Sequence, residues 1–558
     1  MTTFPLSAVG ALPVLDPVTV LRKVLPNGLT VLARRAGTGP VVAIVHYVRA
    51  GYFDETDDVV GIAHVLEHMF FKGTERRGVG EIAKETKESG GYLNAATIYD
   101  HTSYYTVLPA ASFARGLEIQ HDAFVNSAID AGELAKELEV IIQEAKRKAD
   151  NPGAVVTETL YELLHDTHRI RRWRIGREPG LRALRREDLV RFYRNFYRPS
   201  NTVLAVAGDV DPEDAMAEIE RLYGRLPDAP IERSPGPAEA ARDGFRFRSW
   251  SGDIAQTQVA AGWRTPGTLH EDAARLDLAA AVLGTGRASR LYRAVRERQL
   301  ASSVSAYNYT PTELGVFVVS AEAPPERAAE AARAMWAQVA ALRSEGVAAL
   351  DLERARRILE ARWVRRFETA EGQANYLAEW EALGDWRLGD RYLEQLLTTG
   401  AEEVSDAVRR YLTPERAALA VYTPAGAPAF ASDASSARRT LDEPRPAPLP
   451  SVPARSATPA PPPAPATLER EEAGVRVYRF GEGVPVLVRT KPGAPLVTIG
   501  VFAAVGAAAE PAAHAGLTTL MARTALKGTR ARTAVQIAED AELLGGTVGV
   551  SVGAEVTG

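Results

Sequence analysis

One stretch of this chain occurs twice. Residues 28–96 align without a gap to residues 483–551 at a constant offset of 455, so one supersecondary unit is used twice and the fold has to accommodate both copies. The matched pairs are Gly28 with Gly483, Val31 with Val486, Pro40 with Pro495, Gly51 with Gly506, Gly61 with Gly516, Lys72-Gly73-Thr74 with Lys527-Gly528-Thr529, and Gly90-Gly91 with Gly545-Gly546.

Within the first copy, residues 29–33 and 41–48 are short β-branched or apolar runs bounded by Gly and Pro, which predicts strands. Residues 61–71 and 79–89 predict helices, the second closed by Gly90-Gly91; 93–97 and 104–108 predict strands again, and 112–126 and 130–149 carry helical periodicity. Strands followed by helices indicate an α+β sandwich.

At 558 residues the chain is several times a typical domain of ~100 to 150, and it offers natural breaks. Pro227, Pro230, Pro235 and Pro237 follow the amphipathic run 212–226, separating a domain at 18–230 from a related α+β domain at 245–423. Pro and Ala dominate 424–467, which predicts an extended, semi-rigid spacer. Residues 473–558 then begin a third domain, the degenerate copy of the first. It is expected to be incomplete, because counterparts of 112–149 do not follow before Gly558, and its apolar runs 484–488 and 496–504 are expected to be partly exposed.

Composition narrows the chemistry. The absence of cysteine excludes disulfides, thiol nucleophiles and Cys-ligated zinc, so a transition metal has to be held by His and carboxylates. A net charge of -5 leaves no global basic field for nucleic acid, and no window approaches the ~18 apolar residues of a membrane span. No signal peptide is evident in the first residues, which leaves the compartment open between periplasm and cytoplasm.

His64-Val65-Leu66-Glu67-His68 falls in a predicted helix, where histidines at i and i+4 project from one face and are able to share a metal, with Glu67 flanking that face. This is the H-x-x-E-H pattern, the inversion of the H-E-x-x-H zincin motif. A catalytic zinc takes three protein ligands and keeps one position open. The candidate third ligand is Glu144, 76 residues beyond His68. It shares a helix face with Glu137, two turns earlier, with Val140 and Ile141 between them expected to pack against the first helix. Taken alone, the motif arises by chance on amphipathic helices; its surroundings argue otherwise.

The run 61–74, followed by Gly90-Gly91-Tyr92-Leu93-Asn94-Ala95 and the acidic helix, resembles the pitrilysin/insulinase family of zinc metallopeptidases over essentially the whole chain. The resemblance implies repeated α/β-sandwich domains and Zn2+ as cofactor. His64, His68 and Glu144 match the family's zinc ligands, Glu67 the general base that activates zinc-bound water, and Glu137 a supporting acidic residue. Asn94 and Ala95 match an edge-strand segment where a substrate peptide adds as an extra strand; the alternative for Asn94 is a turn residue after Gly91. His101 is not a pattern residue and is read as structural. Arg296 lies in a segment similar to one where an Arg and a following Tyr help bind substrate, but here the Tyr position reads Ser302, and Tyr307 and Tyr309 are out of register.

The second copy lacks the chemistry: at the same offset His64 becomes Thr519, Glu67 becomes Ala522, His68 becomes Arg523 and Asn94 becomes Gly549. The expectation is therefore a zinc endopeptidase acting on peptides or short unfolded segments, with one active and one inactive half closing around a chamber and a missing C-terminal remainder completing it. The rival readings are a scaffold subunit that keeps the fold without the chemistry, a fragment with little activity, and a non-peptidase zinc hydrolase.

Overall fold

The computed structural model of the protein describes residues 15–37, 39–241, 243–442, 466–480, 483–491 and 495–558. Its described residues fall into two compact units, one drawn from 15–450 and 538–547, the other from 451–537 and 548–558.

In the larger unit the first sheet comprises β1 (Val20–Val24), β2 (Thr30–Arg35), β3 (Val41–Val48), β4 (Tyr92–Thr97), β5 (Thr102–Pro109) and β6 (Thr202–Gly208), in the order β1-β2-β6-β3-β5-β4. Only β2 and β6 are parallel; every other neighbour pair is antiparallel. Strand β3, fully flanked, is buried along almost its whole length, whereas β4 closes the sheet as an edge strand with alternating exposure. Helices α1 (Ile62–Phe70), α2 (Glu81–Glu88), α3 (Phe113–Asn126), α4 (Ala131–Ala149), α5 (Pro152–Leu164), α6 (Glu178–Ala183), α7 (Arg186–Phe196) and α8 (Pro212–Tyr223) complete this part of the chain. The apolar sides of α1, α3, α4 and α8 share one core with the sheet, around Ile44, Leu66, Phe70, Tyr104, Phe124, Ile141 and Tyr223.

A second sheet, β7 (Arg246–Gly252), β8 (Thr257–Thr265), β9 (Ser303–Tyr309), β10 (Gly315–Ala323) and β11 (Ala418–Pro424), runs in the order β7-β11-β8-β10-β9. One parallel pair is followed by three antiparallel ones, the same succession as β2-β6-β3-β5-β4. Its core is built with α9 (Asp272–Gly284), α10 (Ala328–Glu345) and α11 (Ala349–Arg365). The boundary expected near residues 230–245 falls in irregular chain, yet the two sheets share a single unit because each borrows a helix. Helix α5 packs across β8 and β11, burying Leu160 and Leu164 against Ala260, Val318 and Ala418, and α12 (Ala370–Ala382) lies over β3 and β6.

The spacer expected over 424–467 is shorter than its composition suggests. Ala434–Asp442 is helical, started by the Asp433 carboxylate accepting from the Ser436 amide at 2.7 Å, with Ala437 and Leu441 buried in the second core. This stretch has no proline and is rich in helix formers, so local propensity and apolar burial prevail there; residues 443–465 lie outside the described residues.

The smaller unit repeats the backbone of the first copy in part. Strands β12 (Ala466–Glu472), β13 (Val475–Phe480) and β14 (Pro485–Arg489) form a sheet in which Val475 opposes Arg489, as Val20 opposes Arg34. Helix Leu517–Ala525 starts after Gly516 with φ 94°, as α1 starts after Gly61 with φ 96°. The apolar run 496–504, which includes the counterpart of β3, forms no strand: β3 is held between β6 and β5, but no strand among the described residues flanks this run. Its side chains are accordingly bare, with Val497 87% and Phe502 70% exposed. No helix among the described residues is long and apolar enough to cross a membrane.

The start of α1 rests on Glu55. Gly61 adopts the left-handed region, and a Cβ there would lie 2.8 Å from the Ile175 carbonyl oxygen. The buried Glu55 carboxyl accepts the Gly61 and Ala63 N–H groups, each at 3.0 Å, satisfying two of the donors that a helix start leaves open. Burial pushes this carboxyl up to about 8 despite those two donors. Glu510 caps Gly516 and Thr518 in the same way from a less buried position, and there the Thr518 and Gly516 donors hold the carboxyl below its usual range. Glu55→Ala is expected to weaken the α1 start by about 1–2 kcal/mol, read as roughly ten-fold faster hydrogen exchange at the Gly61 and Ala63 amides. Unchanged exchange there contradicts the cap.

Candidate metal centre

Helix α1 sorts its residues by face. Ile62, Ala63, Val65, Leu66, Met69 and Phe70 are buried, and Phe70 stacks on Tyr104 at 3.7 Å between ring centroids. His64, Glu67 and His68 occupy the remaining stripe and stay half-buried. Across from them, α4 is started by Asp130, whose carboxylate accepts from Gly132 and Glu133, and anchored by Leu134, Ile141 and Ile142. This packing brings Glu144 to the α1 stripe.

His64, His68 and Glu144 each offer one ligand atom, and these atoms lie within 4.8 Å of one another. Glu144 Oε2 is 3.9 Å from His64 Nε2 and 3.7 Å from His68 Nε2. Bonds of ~2.1 Å in a tetrahedral arrangement place ligand atoms about 3.4 Å apart, so the two Glu144 distances exceed that spacing by only a few tenths of an ångström and the set is compatible with a shared zinc ion. Two imidazoles and one carboxylate also form the donor set that leaves zinc a fourth, open position.

The neighbours orient the donors. Glu137 is buried, and its Oε2 accepts from His68 Nδ1 at 3.1 Å, leaving Nε2 to face Glu144. Its other oxygen pairs with the Lys72 ammonium. Burial raises the Glu137 carboxyl, but Lys72 and His68 outweigh it and hold the group below its usual range. Arg147 lies 3.6 Å from Glu144 Oε1. Glu67 accepts from the Thr97 hydroxyl at 2.5 Å through Oε2, and burial raises its carboxyl against that hydrogen bond. Thr97 and Lys72 are contacts that sequence reasoning did not assign. Lys72 was visible only as part of the repeated Lys-Gly-Thr run, and Thr97 as a strand end.

The remaining candidates sit elsewhere. Val140 is 45% exposed rather than packed on α1. The buried arc of α4 runs through Leu134, Leu138, Ile141, Ile142 and Ala145, because α5 and α6 also pack on this helix, and at 100° per residue Val140 falls outside it. Asn94 and Ala95 lie in edge strand β4, not in a turn. Ala95 packs on the core beneath α1, while Asn94 points to the opposite face, where its amide donates to the Tyr105 hydroxyl at 3.3 Å. Only the backbone of Asn94 belongs to the edge beside the cluster. Its side-chain oxygen accepts from the Ala95 amide at 2.9 Å. Arg296 ends a π-helical turn, Tyr292–Arg296, and is exposed; among the described residues no hydrogen bond or ion pair joins it to the cluster. His101 stacks on Tyr47 at 3.9 Å and its Nδ1 accepts the Tyr47 hydroxyl at 2.5 Å, an interior role.

A strand-flanked helix pair carrying a His-His-carboxylate cluster, on repeated α/β sheets, defines a class of metallopeptidase-like folds, and comparison with known proteins identifies the family. The profile described as insulinase (peptidase family M16) matches residues 30–174 and again 485–557, and the M16 inactive-domain profile matches 183–359. A Rickettsia felis protein named "uncharacterized zinc protease" is 34% identical over 299 residues, covering 53% of this chain and 72% of that protein. A similarly named Mycobacterium bovis protein is 30% identical over 422 residues, covering 74% and 95%. The chain belongs to the insulinase family, peptidase family M16. Two solved structures share its fold. A Helicobacter pylori protease has TM-score 0.69 and 24% identity, covering 73% of this chain and 99% of that one. The Escherichia coli periplasmic protease PqqL has TM-score 0.63 and 18% identity, covering 98% and 64%.

Burial first, then the neighbouring His68 and Lys148 charges, lower the His64 imidazole from 6.5 to about 4. The unfolded chain takes up this proton near 6.5 and the folded one only near 4, so the residue's contribution to stability falls as pH drops through that window. In metal-free protein the His64 ring is expected to titrate near pH 4 by NMR; a midpoint of about 6 or above, close to the unperturbed histidine value, contradicts the burial argument.

Proposed function

We propose that the protein is a zinc-dependent endopeptidase, with His64, His68 and Glu144 as zinc ligands and Glu67 as general base. The observation that carries this reading is the convergence of His64 and His68, which share one stripe of α1 with Glu67, and Glu144 of α4. A bound zinc ion supplies Lewis acidity, lowering the pKa of a water ligand toward ~7 and polarising a peptide carbonyl.

The chain's own residues supply the rest. Glu67 Oε2 is engaged by Thr97, so Oε1 is the oxygen that takes the proton from water and returns it to the departing amine. Glu137 holds His68 in one tautomer through Nδ1. The outer side of β4, unpaired among the described residues, offers backbone donors and acceptors to a substrate segment in extended form. Backbone recognition of this kind selects extended, flexible peptides over folded proteins. The site-bearing part is read as residues 18–230, and 245–423 as a related part without the chemistry.

A scaffold role is the second reading, favoured by the match of 183–359 to an inactive domain and by the loss of His64, Glu67 and His68 at 519, 522 and 523. One variant separates the two. Glu67→Gln keeps the side-chain volume but cannot accept the proton, so it is expected to retain zinc while kcat/KM for peptide hydrolysis falls by ~10² to 10⁴. Wild-type protein without peptidase activity supports the scaffold, and a variant that keeps more than about a tenth of wild-type kcat/KM removes Glu67 from the base role.

A further inference from the structure

The last residue of β4 has a task that strand formation does not explain. Thr97 opposes Thr102 across the β4–β5 pair, and the two hydroxyl oxygens are 3.3 Å apart. The single proton of Thr102 Oγ1 goes to the Ala50 carbonyl oxygen at 3.0 Å. The single proton of Thr97 is directed the other way, to Glu67 Oε2 at 2.5 Å.

The second copy separates the fold requirement from the chemical one. Val552 stands at the position of Thr97, and it still bridges Thr557 as Thr97 pairs with Thr102. A β-branched side chain therefore suffices for that pairing, with or without a hydroxyl. In that copy Glu67 is replaced by Ala522, so the hydroxyl and the carboxylate it serves are missing together.

We propose that Thr97 is a positioning residue for Glu67, its hydroxyl fixing the carboxylate so that Oε1 alone is presented for proton transfer. A glutamate on a helix surface has three side-chain torsions, and one short hydrogen bond to a charged oxygen removes most of that freedom at the terminal carboxylate. Thr97 acts through Glu67 and does not touch the reacting atoms. The inference rests on the reading of Glu67 as base.

The test is Thr97→Val, which removes the hydroxyl, retains the shape and introduces the residue that the second copy already tolerates. Zinc content and KM are expected to stay near wild type while kcat falls roughly 10- to 100-fold, the scale of a lost hydrogen bond to a charged group. Thr97→Ser is expected to recover most of the rate. In the Glu67→Gln background, adding Thr97→Val is expected to cost nothing further, because its target is already disabled. Independently of activity, a crystal structure of zinc-free Thr97→Val is expected to show the Glu67 carboxylate turned away from its Thr97-bonded orientation.

A Thr97→Val kcat within about two-fold of wild type beside an inactive Glu67→Gln overturns this inference and leaves the base assignment standing, as does an unmoved Glu67 carboxylate. A full additional loss in the Glu67→Gln background also overturns it, since Thr97 would then act by another route. An active Glu67→Gln overturns the base assignment itself.

Discussion

The packing of α1 against α4 is the contact on which the site depends. Both helices are fixed by apolar faces, Ile62, Val65, Leu66, Met69 and Phe70 on one and Leu134, Ile141 and Ile142 on the other. Once those faces are buried, helical geometry leaves His64, Glu67 and His68 no other direction to point, and brings Glu144 beside them. Burying Glu137 of α4 at this junction has an electrostatic cost, which Lys72 and His68 offset. The polar cluster is thus imposed by an apolar arrangement that does not itself require it.

The second copy shows the same separation from the other side. Its helix start keeps the left-handed glycine, the carboxylate cap from Glu510 and the Lys-Gly-Thr turn, with the Thr529 amide bonded to the Arg532 carbonyl oxygen as Thr74 is to Arg77. Its strand pair keeps the register of β1 and β2. On the helix itself the ligand-type side chains are gone, with Thr519, Ala522 and Arg523 standing at the positions of His64, Glu67 and His68. Backbone-determining residues persist where the cluster residues do not, because turns and caps serve the fold independently of the cluster's chemistry.

Much of this was legible in the sequence, for reasons that also mark where legibility ended. The strands and helices of the first copy were readable because apolar periodicity and glycine turns coincide there, and β3, α1, α3 and α4 lie within a residue or two of their expected limits. The grouping of His64, His68 and Glu144 was readable from i, i+4 spacing and a second acidic stripe. Facing was harder. Val140 and Ile141 are equally apolar, and only the neighbours of α4 decide which of them is buried. Asn94 was assigned to the site by its segment, but strand alternation turns its side chain to the far face. The exchange of α5 and α12 between sheets, which joins two expected domains into one unit, rests on long-range packing that no local pattern records.

The central claim is that one zinc ion is held by His64, His68 and Glu144. Anomalous diffraction at the zinc edge, from crystals of the wild-type protein grown with zinc, tests it most directly. A single peak at ~2.0–2.2 Å from His64 Nε2, His68 Nε2 and a Glu144 carboxylate oxygen is the predicted result. A zinc peak coordinated by other residues, or no peak at this cluster with zinc in excess, would contradict the account.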